Sequence, residues 1–73
     1  MSKDTELKIL KLELKQQEII GKNLQKKITR YEKANNIVNN TIAQQDIDDL
    51  KTELQTSELQ KEILSSKINS FKN

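Results

Sequence analysis

The side chains of Asp46, Asp48 and Asp49 form the one concentration of carboxylates in this 73-residue sequence. They resemble half of a cation site, but a calcium loop also needs a glycine at its turn and a bidentate glutamate at a fixed spacing. Neither is present here. Carboxylates are also favoured in the first turns of a helix, where they complement the helix dipole. We therefore interpret the cluster as the start of a helix and expect no metal ligands.

Four basic residues follow one side of a predicted helix in the first half of the chain. At 100° per residue they fall within about 80° of one another, opposite the apolar residues. They are Lys22, Lys26, Arg30 and Lys33. Such a row could contact phosphates or an acidic protein surface. The row has no aromatic reinforcement and the formal charge of the chain is only +2, so we rank nucleic acid second among the expected partners.

The residue types that most enzymes need are missing. The chain contains no cysteine and no histidine, which excludes a structural zinc site, a disulfide, a thiol nucleophile and an imidazole base. We expect a protein that is not an enzyme, with no catalytic, cofactor-binding or metal-binding residues. No apolar run is long enough to span a membrane, and the first residues lack the apolar stretch of a signal peptide. These features favour an intracellular, cytoplasmic-type protein.

The elements that position these side chains follow from two runs of residues spaced alternately by three and four. The first run is Leu7, Leu10, Leu14, Gln17, Gly21, Leu24, Ile28, Tyr31, Asn35 and Val38. The second run is Ala43, Ile47, Leu50, Leu54, Ser57, Lys61, Leu64, Ile68 and Phe71. Each run matches the a and d positions of a heptad repeat, the seam along which coiled-coil helices pack. The two runs are out of phase by two residues, so the chain must be interrupted between them.

The interruption is rich in asparagine, which tolerates the left-handed backbone that ends many helices. Thr41 followed by Gln44 fits a capping box at the start of a second helix. We therefore predict a single all-helical domain over residues 1–73. Helix one is expected at about 4–37, a turn at about 38–41 and helix two at about 42–71.

The two runs match best when they are antiparallel, with facing residue numbers that sum to 78. Large apolar residues then face each other, Gly21 faces Ser57, and Gln17 faces Lys61. We predict an antiparallel helical hairpin, a two-helix coiled coil about 50–60 Å long, that self-associates into a helical bundle. The alternatives are a parallel coiled coil about 110 Å long and a chain that is disordered until it binds.

Several apolar residues lie outside the seam, in the halves of the two helices away from the turn. Those expected to form an interaction surface at this open end are Ile9, Leu12, Ile19, Leu59 and Ile63. Such a patch is typical of a binding site, and scaffolds this small commonly self-associate or dock on a partner. The sequence therefore favours a protein–protein interaction module, whose partner is a second copy or another protein. The alternative is a basic helical module that binds nucleic acid through the Lys22–Lys33 row.

Overall fold

The structure, a computed structural model, describes residues 2–71, which form two helices and no strand. Helix α1 spans Lys3–Ile37 and helix α2 spans Gln44–Ser70. They pack against each other along their length as a hairpin whose principal dimensions are 54 × 17 × 14 Å. The predicted helical hairpin is therefore confirmed, at the length expected for helices folded back on each other. The expected domain also includes residues 1, 72 and 73, which lie outside the described residues.

Helix α1 begins one residue earlier than expected because Ser2 caps it. The Ser2 hydroxyl accepts a hydrogen bond from the backbone amide of Thr5 at 3.2 Å, which satisfies one of the free amides at the helix start. Asp4 and Glu6 lie in the first turn, where their negative charge is favourable. At the other end, the Val38 amide still donates to the carbonyl of Ala34 at 3.0 Å before the chain leaves the helix.

The turn is held by the side chain of Asn35. Its amide nitrogen donates to the Ile42 carbonyl at 3.0 Å, and its oxygen accepts from the Ile42 amide at 2.7 Å. One side chain thus satisfies both backbone groups of a residue seven positions later. Asn40 adopts the left-handed conformation, with φ of 62°, as expected for an asparagine-rich turn. The composition of this segment therefore reflects both its backbone shape and its hydrogen bonds.

The predicted capping box at the start of α2 is wrong. The helix begins at Gln44 with Ala43 as its N-cap, and no side chain bonds to the free amides there. The Thr41 hydroxyl donates instead to the Val38 carbonyl, because the turn extends two residues further than expected. Val38 and Ala43, predicted as seam positions, flank the two helices outside their ends and are exposed.

The seam contains the small core of the hairpin. Its buried hydrophobic residues are Ile28, Ile47, Leu50, Leu64 and Ile68, and most other predicted a and d residues are half-buried. Near the middle, a Cβ added to Gly21 would lie 3.7 Å from the Ser57 hydroxyl oxygen, as the predicted register requires. The Ser57 hydroxyl donates to the Gln17 side-chain oxygen at 3.0 Å. The polar contact of Gln17 is therefore with Ser57, four residues before the expected Lys61.

Candidate protein-interaction surface

The hairpin presents two different sides to solvent, and the heptad positions identify them. With Leu7 at position a of α1 and Ile47 at position a of α2, Glu32 and Lys51 both occupy position e. The side chains of Glu32 and Lys51 form an ion pair at 3.2 Å. The e positions of the two helices therefore share one side of the hairpin, which we name the e side.

The opposite side carries the g positions of both helices, and we name it the g side. Ile20, Glu53 and Gln60, all at g positions, line one shallow groove on this side. The seam residues Gln17 and Ser57 lie at the bottom of the same groove. The groove crosses from one helix to the other, so a partner placed in it would contact both.

The exposed hydrophobic residues are distributed unequally between the two sides. Within residues 2–71, seven large hydrophobic residues of the helices are exposed: Ile9, Leu12, Ile19, Ile20, Ile37, Leu59 and Ile63. All seven occupy positions c, f or g, and none occupies b or e. Position c adjoins g, and position f points away from the seam. The e side is therefore polar, and the exposed apolar surface lies on the g side and along the outer edges.

The five residues of the predicted interaction surface are all exposed, by 39% to 58%. They do not form one patch. Ile9 and Ile63 are at position c and belong to the g side. Leu12, Ile19 and Leu59 are at position f, which places them on the outer edges of the two helices, facing in opposite directions. The predicted surface therefore divides into a shared side and two separate edges.

Ile20 belongs to the g side but was not included in the predicted set. It is 38% exposed, the least of the seven exposed helix residues, because position g adjoins the seam. Its heptad position is the signal that identifies it, since a g residue on α1 lies beside the g residues of α2 in an antiparallel pair. Ile9, Ile20 and Ile63 are the apolar residues of the g side in the open half of the hairpin.

Charge is segregated between the two helices. Helix α1 contains nine basic and five acidic residues, and α2 contains three basic and six acidic residues, giving formal charges of +4 and −3. All of this imbalance lies in the half nearest the turn, where residues 21–37 carry +4 and residues 44–57 carry −3. The open half is neutral on both helices, and six of the seven exposed hydrophobic residues lie there.

The predicted basic row is exposed along its length and runs across the outer surface of α1 near the turn. The side chains of Lys22, Lys26 and Arg30 border a shallow depression beside Gln25 and Thr29. The row is part of the wider basic half of α1. Its surroundings are exposed helix surface, and no aromatic ring stands beside these three side chains in the depression.

The acidic residues Asp46, Asp48 and Asp49 lie in the first two turns of helix α2. Asp46 lies in the first turn of α2. The carboxylates of Asp48 and Asp49 accept hydrogen bonds from the side chains of Gln44 and Gln45, at 3.0 and 2.8 Å. Across the described residues, no three acidic side chains are grouped so that they could hold a metal ion.

In the part of the chain that the structure describes, neither helix is long and apolar enough to cross a membrane. Comparison with protein-family models, with characterised proteins and with solved structures finds no match for this chain. The function is therefore argued from the hairpin itself.

Proposed function

We propose that this chain is a non-enzymatic protein–protein interaction module that acts through the exposed apolar residues of its helical hairpin. Assembly factor, chaperone-like cofactor, inhibitor and structural subunit are the roles such a module can serve. The observation that carries the proposal is the set of seven exposed hydrophobic helix residues, concentrated on the g side and the outer edges. Ile9, Ile20 and Ile63 share one side of the hairpin, and a two-helix scaffold this small commonly uses such a side to self-associate or to dock on a partner.

The size of the core supports the same proposal. Among residues 2–71 only five hydrophobic residues are buried, and three of them, Ile28, Ile47 and Leu64, are exposed by 2% or less. A single core of this kind rarely stabilises a chain of fewer than about 70–80 residues by more than a few kcal/mol. Association would add the missing burial, since a partner that binds only the folded state stabilises it by an amount that grows with the logarithm of the partner concentration.

The total surface area leads to the same expectation. The chain exposes 5746 Å², whereas a compact monomer of 8.5 kDa exposes about 4,700 Å². The excess of about 1,000 Å² exceeds the roughly 800 Å² that each partner buries in a standard protein–protein interface. The hairpin can therefore lose enough surface for a stable contact and still remain soluble through its polar e side.

The test compares two apolar variants with a matched polar control by sedimentation equilibrium and circular dichroism. The g-side variant carries Ile20→Glu and Ile63→Glu, and the edge variant carries Leu12→Glu and Leu59→Glu. The control, Gln25→Glu and Gln55→Glu, adds the same charge at exposed positions e and b. We expect at least one apolar variant to lose association, because a carboxylate buried without a partner costs several kcal/mol.

The control should keep the wild-type mass, since exposed substitutions of this type change stability by no more than about 0.5 kcal/mol. Loss of helicity should accompany loss of mass only to the extent that folding depends on association. A wild-type chain that stays monomeric and helical at every concentration, with no change in either apolar variant, would contradict the proposal.

Nucleic-acid binding through the basic row is the second candidate, favoured by the charge of +4 on α1. Binding through four phosphate contacts should weaken about a hundredfold between 50 and 200 mM salt. At a fixed salt concentration, the variant Lys26→Gln, Lys33→Gln should bind nucleic acid more weakly than the wild type. The control Lys8→Gln, Lys15→Gln removes the same charge outside the row and should not. Equal binding by the two variants would eliminate this candidate, and so would undetectable binding of duplex DNA and single-stranded RNA at low salt.

A further inference from the structure

We propose that a second copy of the chain occupies the g side, forming a two-fold symmetric four-helix bundle with both turns at the same end. In this arrangement α1 of each copy lies beside α2 of the other. The inference rests on the proposed function, because it assumes that the apolar surface drives self-association. It goes further by specifying which side pairs, which helices become neighbours and which charges meet.

The choice of the g side follows from what each side exposes. The e side carries no exposed large hydrophobic residue, and its Lys51–Glu32 ion pair is satisfied within the hairpin. The g side exposes the hydrophobic residues Ile9, Ile20 and Ile63. Packing two g sides against each other would bury these isoleucines beside the existing seam, in the way that facing helices of a four-helix bundle bury their apolar positions.

The direction of packing follows from the distribution of charge along the hairpin. Two hairpins can stack through the same side in two symmetric ways, with their turns at the same end or at opposite ends. With the turns together, the basic half of α1 lies beside the acidic half of the partner's α2, and the apolar open halves meet. With the turns apart, each charged half lies beside a neutral, apolar half of the same helix. Only the first arrangement matches charge with charge and apolar surface with apolar surface.

One pair of residues expresses this complementarity most directly. Arg30 follows Gly21 by nine residues and Asp49 precedes Ser57 by eight. Since Gly21 and Ser57 are in contact range, Arg30 and Asp49 lie within about 1.5 Å of the same level along the hairpin. Both are at position c, on the g side. In the bundle, Arg30 therefore faces Asp49 of the partner subunit.

Within a single hairpin neither side chain has an ionic partner. Across residues 2–71 the one ion pair is Lys51–Glu32, and position c points away from the other helix of the same hairpin. Position g differs from position c in this respect: Lys27 and Glu53 are oppositely charged g residues in the same half of the hairpin, and the Lys27 ammonium also lies 5.7 Å from the centre of the Tyr31 ring. Arg30 and Asp49 thus form no ion pair within one copy, and a two-fold rotation brings their opposite charges together.

A spin label at the turn measures the arrangement directly. The chain has no cysteine, so Asn39→Cys provides a single attachment point at an exposed turn residue. With the turns together, the two labels of a dimer should lie within about 30 Å, because neighbouring helix axes are 8–10 Å apart. With the turns at opposite ends they would be separated by about the 54 Å length of the hairpin. A dimer that gives the long distance would overturn the arrangement while leaving the proposed function intact.

A charge exchange tests the contact between Arg30 and Asp49. We expect Arg30→Glu and Asp49→Arg each to weaken dimerisation about tenfold at low salt, since the two-fold axis repeats the pair. The double variant should return to within about threefold of the wild type, because the exchanged charges attract again. The control exchange Glu32→Lys, Lys51→Glu lies on the e side and should leave the dimer unchanged. A double variant as weak as the sum of its single changes would contradict the pairing. A wild-type monomer would overturn the bundle, whereas the proposed function also allows a different protein as the partner.

Discussion

The hydroxyl of Ser57 donates to the side-chain oxygen of Gln17 at 3.0 Å and lies 3.3 Å from the main-chain oxygen of the same residue. This contact joins the two helices at the point where the seam is least apolar. Ser57 is only 5% exposed, so its hydroxyl would be costly to bury without a partner. The described residues contain no buried side-chain nitrogen or oxygen without a hydrogen bond. The hairpin thus tolerates a polar layer in its seam because the two helices satisfy it together.

Replacing Ser57 should reveal how tightly this layer is packed. We expect Ser57→Ala to destabilise the hairpin by about 0.5–1.5 kcal/mol, since it removes the hydrogen bond to Gln17. Ser57→Leu should cost about 1–3 kcal/mol, because extra carbon atoms must fit against α1. The exposed Ser66→Ala is the control and should stay within about 0.5 kcal/mol of the wild type. Denaturant unfolding at one protein concentration measures the free energy of unfolding of all three variants. If Ser57→Leu left this free energy unchanged, the seam would have room for a leucine beside Gln17.

Gly21 should be replaceable by alanine but not by a larger residue. The added Cβ would lie 3.7 Å from Ser57 and 3.8 Å from Leu54, which is ordinary van der Waals contact. Alanine is favoured over glycine inside a helix by about 1 kcal/mol, so Gly21→Ala should raise the free energy of unfolding by up to about that amount. Gly21→Leu should lower it by about 1–3 kcal/mol through overpacking. If Gly21→Ala instead lowered the free energy of unfolding, the distance from the added Cβ to the Ser57 hydroxyl oxygen would have to be shorter than 3.7 Å.

The turn should depend on Asn35 more than on its neighbours. Asn35→Ala removes the bonds to both backbone groups of Ile42, and we expect a loss of about 1–3 kcal/mol. Asn35→Asp keeps an acceptor for the Ile42 amide but sets a carboxylate beside the Ile42 carbonyl, so it should not restore stability. The exposed Asn36→Ala is the matched control. Equal unfolding midpoints for Asn35→Ala and Asn36→Ala would show that the turn is not held by this side chain.

The seam could be predicted from the sequence because its period is a property of helices and not of their surroundings. Leu7 and Ile28 are spaced as one coiled-coil seam, Ile47 and Ile68 as a second, and the phase break between the two runs predicts the turn. The hairpin length followed from the rise per residue. Gly21 opposite Ser57 could also be predicted, because a small residue facing a small residue fixes the register.

The turn itself could not be predicted in detail. Thr41 and Gln44 match the spacing of a capping box, but the Thr41 hydroxyl bonds to Val38 once the turn extends to residue 43. The bond from Asn35 to Ile42 spans seven residues, and no local pattern signals it. Turn geometry depends on how the two helices meet, which a single run of residues does not contain.

The apolar surface was predicted residue by residue but not as a shape. All five predicted residues are exposed, because they lie outside the seam. Dividing them between the g side and the outer edges requires knowing which side of the hairpin each heptad position faces. The Lys51–Glu32 ion pair provides that information. With the sides identified, Ile20 joins the apolar surface of the g side, and Arg30 and Asp49 are placed on that same side.

If the hairpin associates through its g side, as proposed, its thermal stability should depend on protein concentration. The most direct measurement is the melting temperature of the wild-type chain and of the Ile20→Glu, Ile63→Glu variant over a hundredfold range of concentration. A hundredfold increase is worth about 2.7 kcal/mol to an associating protein, so the wild type should melt several degrees higher at the top of the range. The variant should melt at a lower temperature that does not change with concentration. A wild-type melting temperature that is constant across the range, and equal to that of the variant, would contradict the account.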